Sequence, residues 1–205
     1  MVTRSEMRER RRLRSRRWRA ILAGGLVLGV GVAATLAAWN DSEYGSASFT
    51  AGKFDIVGAI DGATFSSHAT TGAAAALNFQ LAPTAMAPGN ATYALFSVKT
   101  ANPSVAGVLQ LSAGTPGGTG LATYLTYGVR TIAGTTCNAT TYAAGTAVVA
   151  DGSALTAAGS GTQVVTANGA AQVNYCFAVT LPITAPNAAQ GLTMTQTWQI
   201  QGTSS

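Results

Sequence analysis

Val173-Asn174-Tyr175-Cys176-Phe177-Ala178-Val179-Thr180-Leu181 reads as a β-strand. Successive side chains of an extended chain point to opposite sides. Val173, Tyr175, Phe177, Val179 and Leu181 therefore share one face, and Asn174, Cys176, Ala178 and Thr180 the other. Leu192 to Ile200 repeats the pattern. Leu192, Met194, Trp198 and Ile200 fall together with Gln196 as the one exception, opposite Thr193, Thr195, Thr197 and Gln199. One apolar and one polar face per strand is the signature of an antiparallel sheet that covers a core on one side.

Outward from that stretch the same grammar recurs. Gln163 to Ala167 is a β-prone run, and Asn168-Gly169 separates it from Val173. Asn-Gly between two such runs predicts a two-residue hairpin turn, because both positions must accept positive φ. Further strands are expected at Phe49–Ile60, Ala75–Leu81, Ala91–Thr100, Val105–Ser112 and Tyr124–Ile132. Pro83, Pro88, Pro103 and Pro116 sit in the connections, where a missing N–H does no harm. Gly114 to Gly120 reads as a loop, and the Ala/Gly/Thr/Ser-rich run Ala139 to Gly161 as a long loop or a weak hairpin. No amphipathic helix is evident after Ala38. The expected class is all-β: an antiparallel β-sandwich of jelly-roll type, preceded by an N-terminal signal-peptide helix.

The N-terminus has its own logic. Nine arginines lie between Arg4 and Arg19, followed by the uncharged apolar stretch Ala20 to Ala38 and then the polar Asn40-Asp41-Ser42-Glu43. A basic region, an apolar region and small residues at the exit are the parts of a secretory signal peptide. Thr35-Leu36-Ala37 places the expected cleavage between Ala37 and Ala38. The expected organisation is a signal peptide over 1–37 and one secreted domain over 38–205, with 38–48 as a flexible arm. Two alternatives stay open. Ser15-Arg16-Arg17 resembles a twin-arginine signal without the apolar residues that follow such a pair. The apolar stretch is also just long enough to remain as a membrane anchor.

The leader also explains the charge. Nine arginines against Glu6 and Glu9 give it +7; Lys53, Lys99 and Arg130 against Asp41, Glu43, Asp55, Asp61 and Asp151 give the rest −2, and the two sum to the formal +5. The basic character belongs to the export signal, so it argues for no nucleic-acid partner. About 168 of the 205 residues follow the leader, enough for one domain with a real core. Cys137 and Cys176 are an even pair in an exported chain, read first as a disulfide and otherwise as two buried thiols.

Several motifs carry a resemblance. Ala38-Trp39-Asn40-Asp41 followed by Ser48-Phe49-Thr50-Ala51-Gly52-Lys53-Phe54-Asp55-Ile56 is similar to the SipW-type signal region of the TasA/camelysin family. Met86-Ala87-Pro88-Gly89-Asn90, leading through Phe96-Ser97-Val98-Lys99 to Asn102, looks like that family's central turn. Leu192 to Gly202 looks like its closing strand, and Gly114 to Gly161 has no counterpart. The resemblance implies a jelly-roll-like sandwich, bacterial export through a dedicated signal peptidase, and a place at the cell surface or in the biofilm matrix. In TasA itself subunits form fibres by inserting an N-terminal strand into a neighbour.

Motifs for chemistry are sparse. The family includes proteins described as metallopeptidases, but catalytic zinc takes about three protein ligands, and His68 is the single histidine of the chain, in the polar run Ser66-Ser67-His68-Ala69-Thr70-Thr71. No catalytic residue, metal ligand or cofactor is expected. Leu181-Pro182-Ile183-Thr184-Ala185 resembles a sortase signal, but polar alternation follows it, so a strand ended by proline is the plainer reading. Asn90-Ala91-Thr92 and Asn138-Ala139-Thr140 match glycosylation sequons that mean little behind a bacterial leader.

The expected function is structural: a secreted, self-assembling surface or matrix protein whose partners are other copies of itself. Edge strands rich in Thr, Val and Gln with few charges leave pairing with another chain permitted. The assembly strand is placed at the N-terminal arm, with Trp39, Tyr44, Phe49 and Phe54 as its aromatic anchors. The alternatives are a camelysin-like peptidase, or a monomeric module that binds a surface glycan if Tyr93, Tyr124, Tyr127 and Tyr142 cluster in the open.

Overall fold

The computed structural model describes residues 12–26, 41–80 and 86–205. The chain divides into two units, Met1–Phe49 and Thr50–Ser205. In the first, residues 12–26 are helical, and residues 41–49 have no regular secondary structure and are exposed. Among the described residues no helix is long and apolar enough to cross a membrane. The expected cleavage residues Ala37 and Ala38, and Trp39 of the arm, lie outside the described residues.

The second unit is mostly β, with antiparallel sheets. Its strands are β1 (Ile56–Ala59), β2 (Ala91–Thr100), β3 (Gly107–Ala113), β4 (Gly117–Gly118), β5 (Thr126–Ile132), β6 (Thr146–Ser153), β7 (Gln163–Val165), β8 (Val173–Thr180), β9 (Met194–Thr195) and β10 (Trp198–Ser204). Five strands form one sheet in the order β1-β2-β8-β5-β6, three form a second in the order β10-β3-β7, and β4 pairs with β9. The main core draws on both larger sheets: Leu109 and Leu111 of β3 and Val165 of β7 share a cluster with Val129 of β5 and Tyr175, Phe177 and Val179 of β8. Trp198 and Ile200 of β10 pack against it.

Strand β8 lies at the centre of its sheet, and the sequence reading of it as one-faced needs correction. Its second face is buried too. Cys176 and Ala178 form a smaller cluster with Leu95, Ile132, Cys137 and Tyr142. The cover is a short helix, Ala139–Ala143, in the run read as loop or weak hairpin. Asn138 caps it: its side chain accepts from Thr141 N at 3.0 Å, and Thr141 Oγ1 accepts from Asn138 N at 3.0 Å. This reciprocal arrangement satisfies two backbone donors that the helix start leaves free. The rest of that run supplies β6, paired to β5.

Three further expectations are revised. Asn168-Gly169 is not a hairpin turn. Both residues have positive φ, 56° and 65°, but β7 pairs with β3 while β8 pairs with β2 and β5. The Asn-Gly turn is a corner that carries the chain from one sheet to the other. It is tied down by Asn168 Oδ1, which accepts from Ser104 N at 3.1 Å, and by Gly169 N, which donates to Thr100 Oγ1 at 2.8 Å. Turn chemistry alone does not say which neighbour the next strand takes. Ala75 to Gln80 alternates between half-buried Ala75, Leu77 and Phe79 and exposed neighbours, yet it joins no ladder. Leu192–Ile200 splits at Gln196, the residue that broke its pattern, and the two halves pair with different strands.

The turn before β2 keeps the expected chemistry. Asn90 N donates to Ala87 O at 3.0 Å. Pro88 precedes Gly89, whose φ is 90°, a conformation that glycine takes without a Cβ clash. Leu181 is buried and bonded to Asn90 through N–H to O at 3.0 Å, so the Leu-Pro motif ends a strand.

Candidate assembly interface

Charge is distributed unevenly over the sheets. Lys99, Arg130 and Asp151 lie on β2, β5 and β6 of the five-stranded sheet. The strands β3, β7 and β10 carry no Asp, Glu, Lys or Arg. Residues 50–205 hold three cationic and three anionic side chains, a net charge of zero. Each has a partner at hand. Lys53 pairs with Asp55 at 2.9 Å, Arg130 with Asp151 at 2.7 Å, and Lys99 Nζ stands 4.0 Å from the centre of the Phe65 ring. Asp61 Oδ1 accepts from Ala63 N at 2.9 Å and Thr64 N at 2.8 Å, and the Thr64 bond foremost lowers its pKa to about 2.

Strand β10 is the edge of the charge-free sheet. Gly114 N donates to Thr197 O at 2.8 Å, and Ser205 N to Ala106 O at 3.3 Å. In antiparallel pairing these bonds fix the alternation. Odd-numbered residues of β10 turn their N–H and C=O toward β3. Trp198, Ile200, Gly202 and Ser204 turn theirs away. Among the described residues no hydrogen bond reaches those outward groups. Other edges are shorter or partly engaged. β7 has three residues; Gly58 of β1 exchanges two bonds of 2.9 Å with Ser66, and Ser160 N donates to Val148 O of β6 at 2.7 Å. An open strand edge is a template for another strand, and lysine or another charge is the usual guard against it. β10 has no such guard.

The proposed anchors divide. Tyr44 and Phe49 are 95% and 93% exposed. Phe54 is not available to a neighbour, and the strand expected from Phe49 begins only at Ile56. A Cβ at Gly107 would stand 2.6 Å from Phe54 Cε2, and one at Gly202 would stand 2.7 Å from Phe54 Cε1. The two glycines leave the space that the ring fills on the core side of β3 and β10. The pattern Gly52-Lys53-Phe54 gave no sign of it, because both glycines lie far off in sequence.

Of the four tyrosines considered for glycan binding, three meet. Tyr93, Tyr127 and Tyr142 line an open cleft of about 360 Å³ with Arg130 and Asp151. Tyr127 and Tyr142 are buried, so they offer no exposed platform, and Tyr124 packs against the main core. Apart from Arg130 Nε, which is buried without a hydrogen-bond partner, the charged groups of the cleft bond one another and the backbone. Asp151 accepts from the Tyr142 hydroxyl and from Arg130; Arg130 also donates to the carbonyls of Ala143 and Gly145 at 3.3 and 3.4 Å. The hydrogen bond from Tyr142, foremost, holds the Asp151 pKa below the usual carboxylate range. Burial, then that hydrogen bond, pushes the Tyr142 pKa up. The network latches the short helix to the sheet, and Gly128, lacking a Cβ, leaves room for the hydroxyl and carboxylate to meet.

Cys137 and Cys176 are bonded, with Cα atoms 5.4 Å apart. His68, although in a polar run, is not left wholly to solvent. It is half-buried, its ring 6.3 Å from that of Phe96 in an edge-on contact, with Nε2 3.2 Å from Ser66 Oγ. Among the described residues no group of three or more His, Cys, Asp or Glu side chains is placed to hold a metal ion.

No protein-family model matches this chain, and no curated protein does.

Proposed function

We propose that this chain is a secreted structural protein of a bacterial surface or matrix that assembles with copies of itself. Its domain is read as a jelly-roll-type β-sandwich whose two larger sheets enclose the main core, and its N-terminal segment 1–37 as a signal peptide removed at Ala37–Ala38. The observation that carries the reading is the seven-residue edge strand β10, open and without a charge, in a unit, residues 50–205, whose six charged side chains all have partners of their own. A surface of this kind has little electrostatic means to select a charged ligand or to repel its own copies.

The arm supplies the other half. Tyr44 and Phe49 are exposed on a segment without regular structure. An extended arm satisfies its backbone by adding to a neighbour's sheet, with rings filling pockets. The resemblance to the TasA/camelysin family, carried by the motifs from Ala38 to Ile56, supports the same donor-strand mode. The assembly strand is therefore drawn back to 38–49, without Phe54. The test is to compare the secreted protein with a form lacking Ala38 to Ala47. The truncated form should stay folded and soluble and form no fibres in sedimentation. Fibres at normal yield from it would defeat the arm's role.

A further inference from the structure

We infer that strand β10 pairs antiparallel with β10 of a second copy, about a two-fold axis at Gln201. The inference rests on the reading that copies of this chain associate, but it names a contact different from the arm. Its starting point is the geometry of the free edge. The backbone groups of Trp198, Ile200, Gly202 and Ser204 face away from β3 without a partner among the described residues. Only another extended strand meets alternating donors and acceptors at that spacing.

The sequence of the edge selects a copy of itself. Laid antiparallel about Gln201, Trp198 stands opposite Ser204 of the second copy and Ile200 opposite its Gly202. All four outward-facing residues of each strand are thereby matched, with no outward N–H or C=O left over. The outer face then sets Gln199 opposite Thr203 and Gln201 opposite Gln201. None of these pairs opposes like charges, which is what ordinarily forbids such a contact. The side chains of Gln199, Gln201 and Thr203 are exposed, while Trp198, Ile200 and Gly202 face the core, where Trp198 packs against Phe177 with ring centres 5.1 Å apart. Pairing therefore needs no rearrangement of the core. The two three-stranded sheets join into one continuous sheet, and a two-fold contact of this kind closes on itself. It makes pairs, whereas insertion of an arm into the next subunit propagates.

Register gives the test. Gln201 and its two-fold mate form a non-hydrogen-bonded pair, whose Cβ atoms approach to about 4.5 Å, within reach of a disulfide. Gln199 lies about 13 Å from its own mate at the usual rise per residue. The full chain carrying Gln201→Cys, exported and treated with oxidised glutathione, should run as a covalent dimer on a non-reducing gel. Gln199→Cys should not. Absence of the dimer for Gln201→Cys, or equal dimer for both variants, would overturn the pairing. A second measurement avoids cysteine. Gln201→Lys and Gln201→Glu should each weaken self-association at least about fivefold, and mixing the two should restore it; unchanged association of either variant alone would also overturn the pairing. Fibres without the cross-link would remove this contact and leave arm-driven assembly standing; the cross-link without fibres would do the reverse.

Discussion

Phe54 shows what one residue contributes when its space is made elsewhere. Its ring lies where Gly107 and Gly202 lack side chains. Phe54→Ala should therefore open a cavity and destabilise the domain by about 2–3 kcal/mol, less than for a fully buried phenylalanine. Denaturant unfolding measures it, and a loss below about 0.5 kcal/mol would show the ring to be superficial. The ionisable residues make a second prediction. Tyr127, Tyr142 and Tyr175 all have raised pKa values, with burial the first cause in each. A raised tyrosine pKa gives stability that is whole below the unfolded value near 10 and is lost as pH rises above it. Asp61 and Asp151 are lowered; their contribution is whole above about 4 and is lost as pH falls below that. Stability should thus be flat between about pH 5 and 9 and fall on both sides. The alkaline fall should shrink in Tyr142→Phe, since the phenol that resists ionisation is gone.

At the scale of elements, the chain was legible where β-branched and aromatic residues alternate along a run bounded by turn residues. Ala91–Thr100 was expected as a strand and is β2, and the strands expected across Val105–Ser112, Tyr124–Ile132 and Val173–Leu181 stand as β3, β5 and β8 within a few residues. The run Ala139 to Gly161 was not legible. Its residues are small, so neither the helix Ala139–Ala143 nor β6 announces itself by periodicity; the cap at Asn138 with Thr141 is the one local signal. Pairing partners were also hidden. Asn168-Gly169 fixed the backbone of a turn, but the ladder that β7 joins is decided by contacts with β3. The helix is held by two devices, the Asp151 network and the Cys137–Cys176 bond. The bond closes a separation of 39 residues, which on the chain-entropy model stabilises by about 3–4 kcal/mol. The double variant Cys137→Ser, Cys176→Ser should lose about that much, and mass spectrometry of the non-reduced secreted protein should find no free thiol. Two free thiols would remove the claim.

For the molecule as a whole, the candidate interface was half-visible in the sequence. Scarcity of charge was plain from composition. That the scarcity is complete on one sheet, and that this sheet has an open edge, required the strand order. Tyr44 and Phe49 are exposed, whereas Phe54 packs over Gly107 and Gly202. The measurement that bears most directly on the proposed self-assembly is electron microscopy of the purified chain from Ala38 onward, incubated at high concentration with and without preformed seeds. Fibres that appear sooner when seeded are the predicted result. A protein that remains monomeric at high concentration, seeded or not, would contradict it.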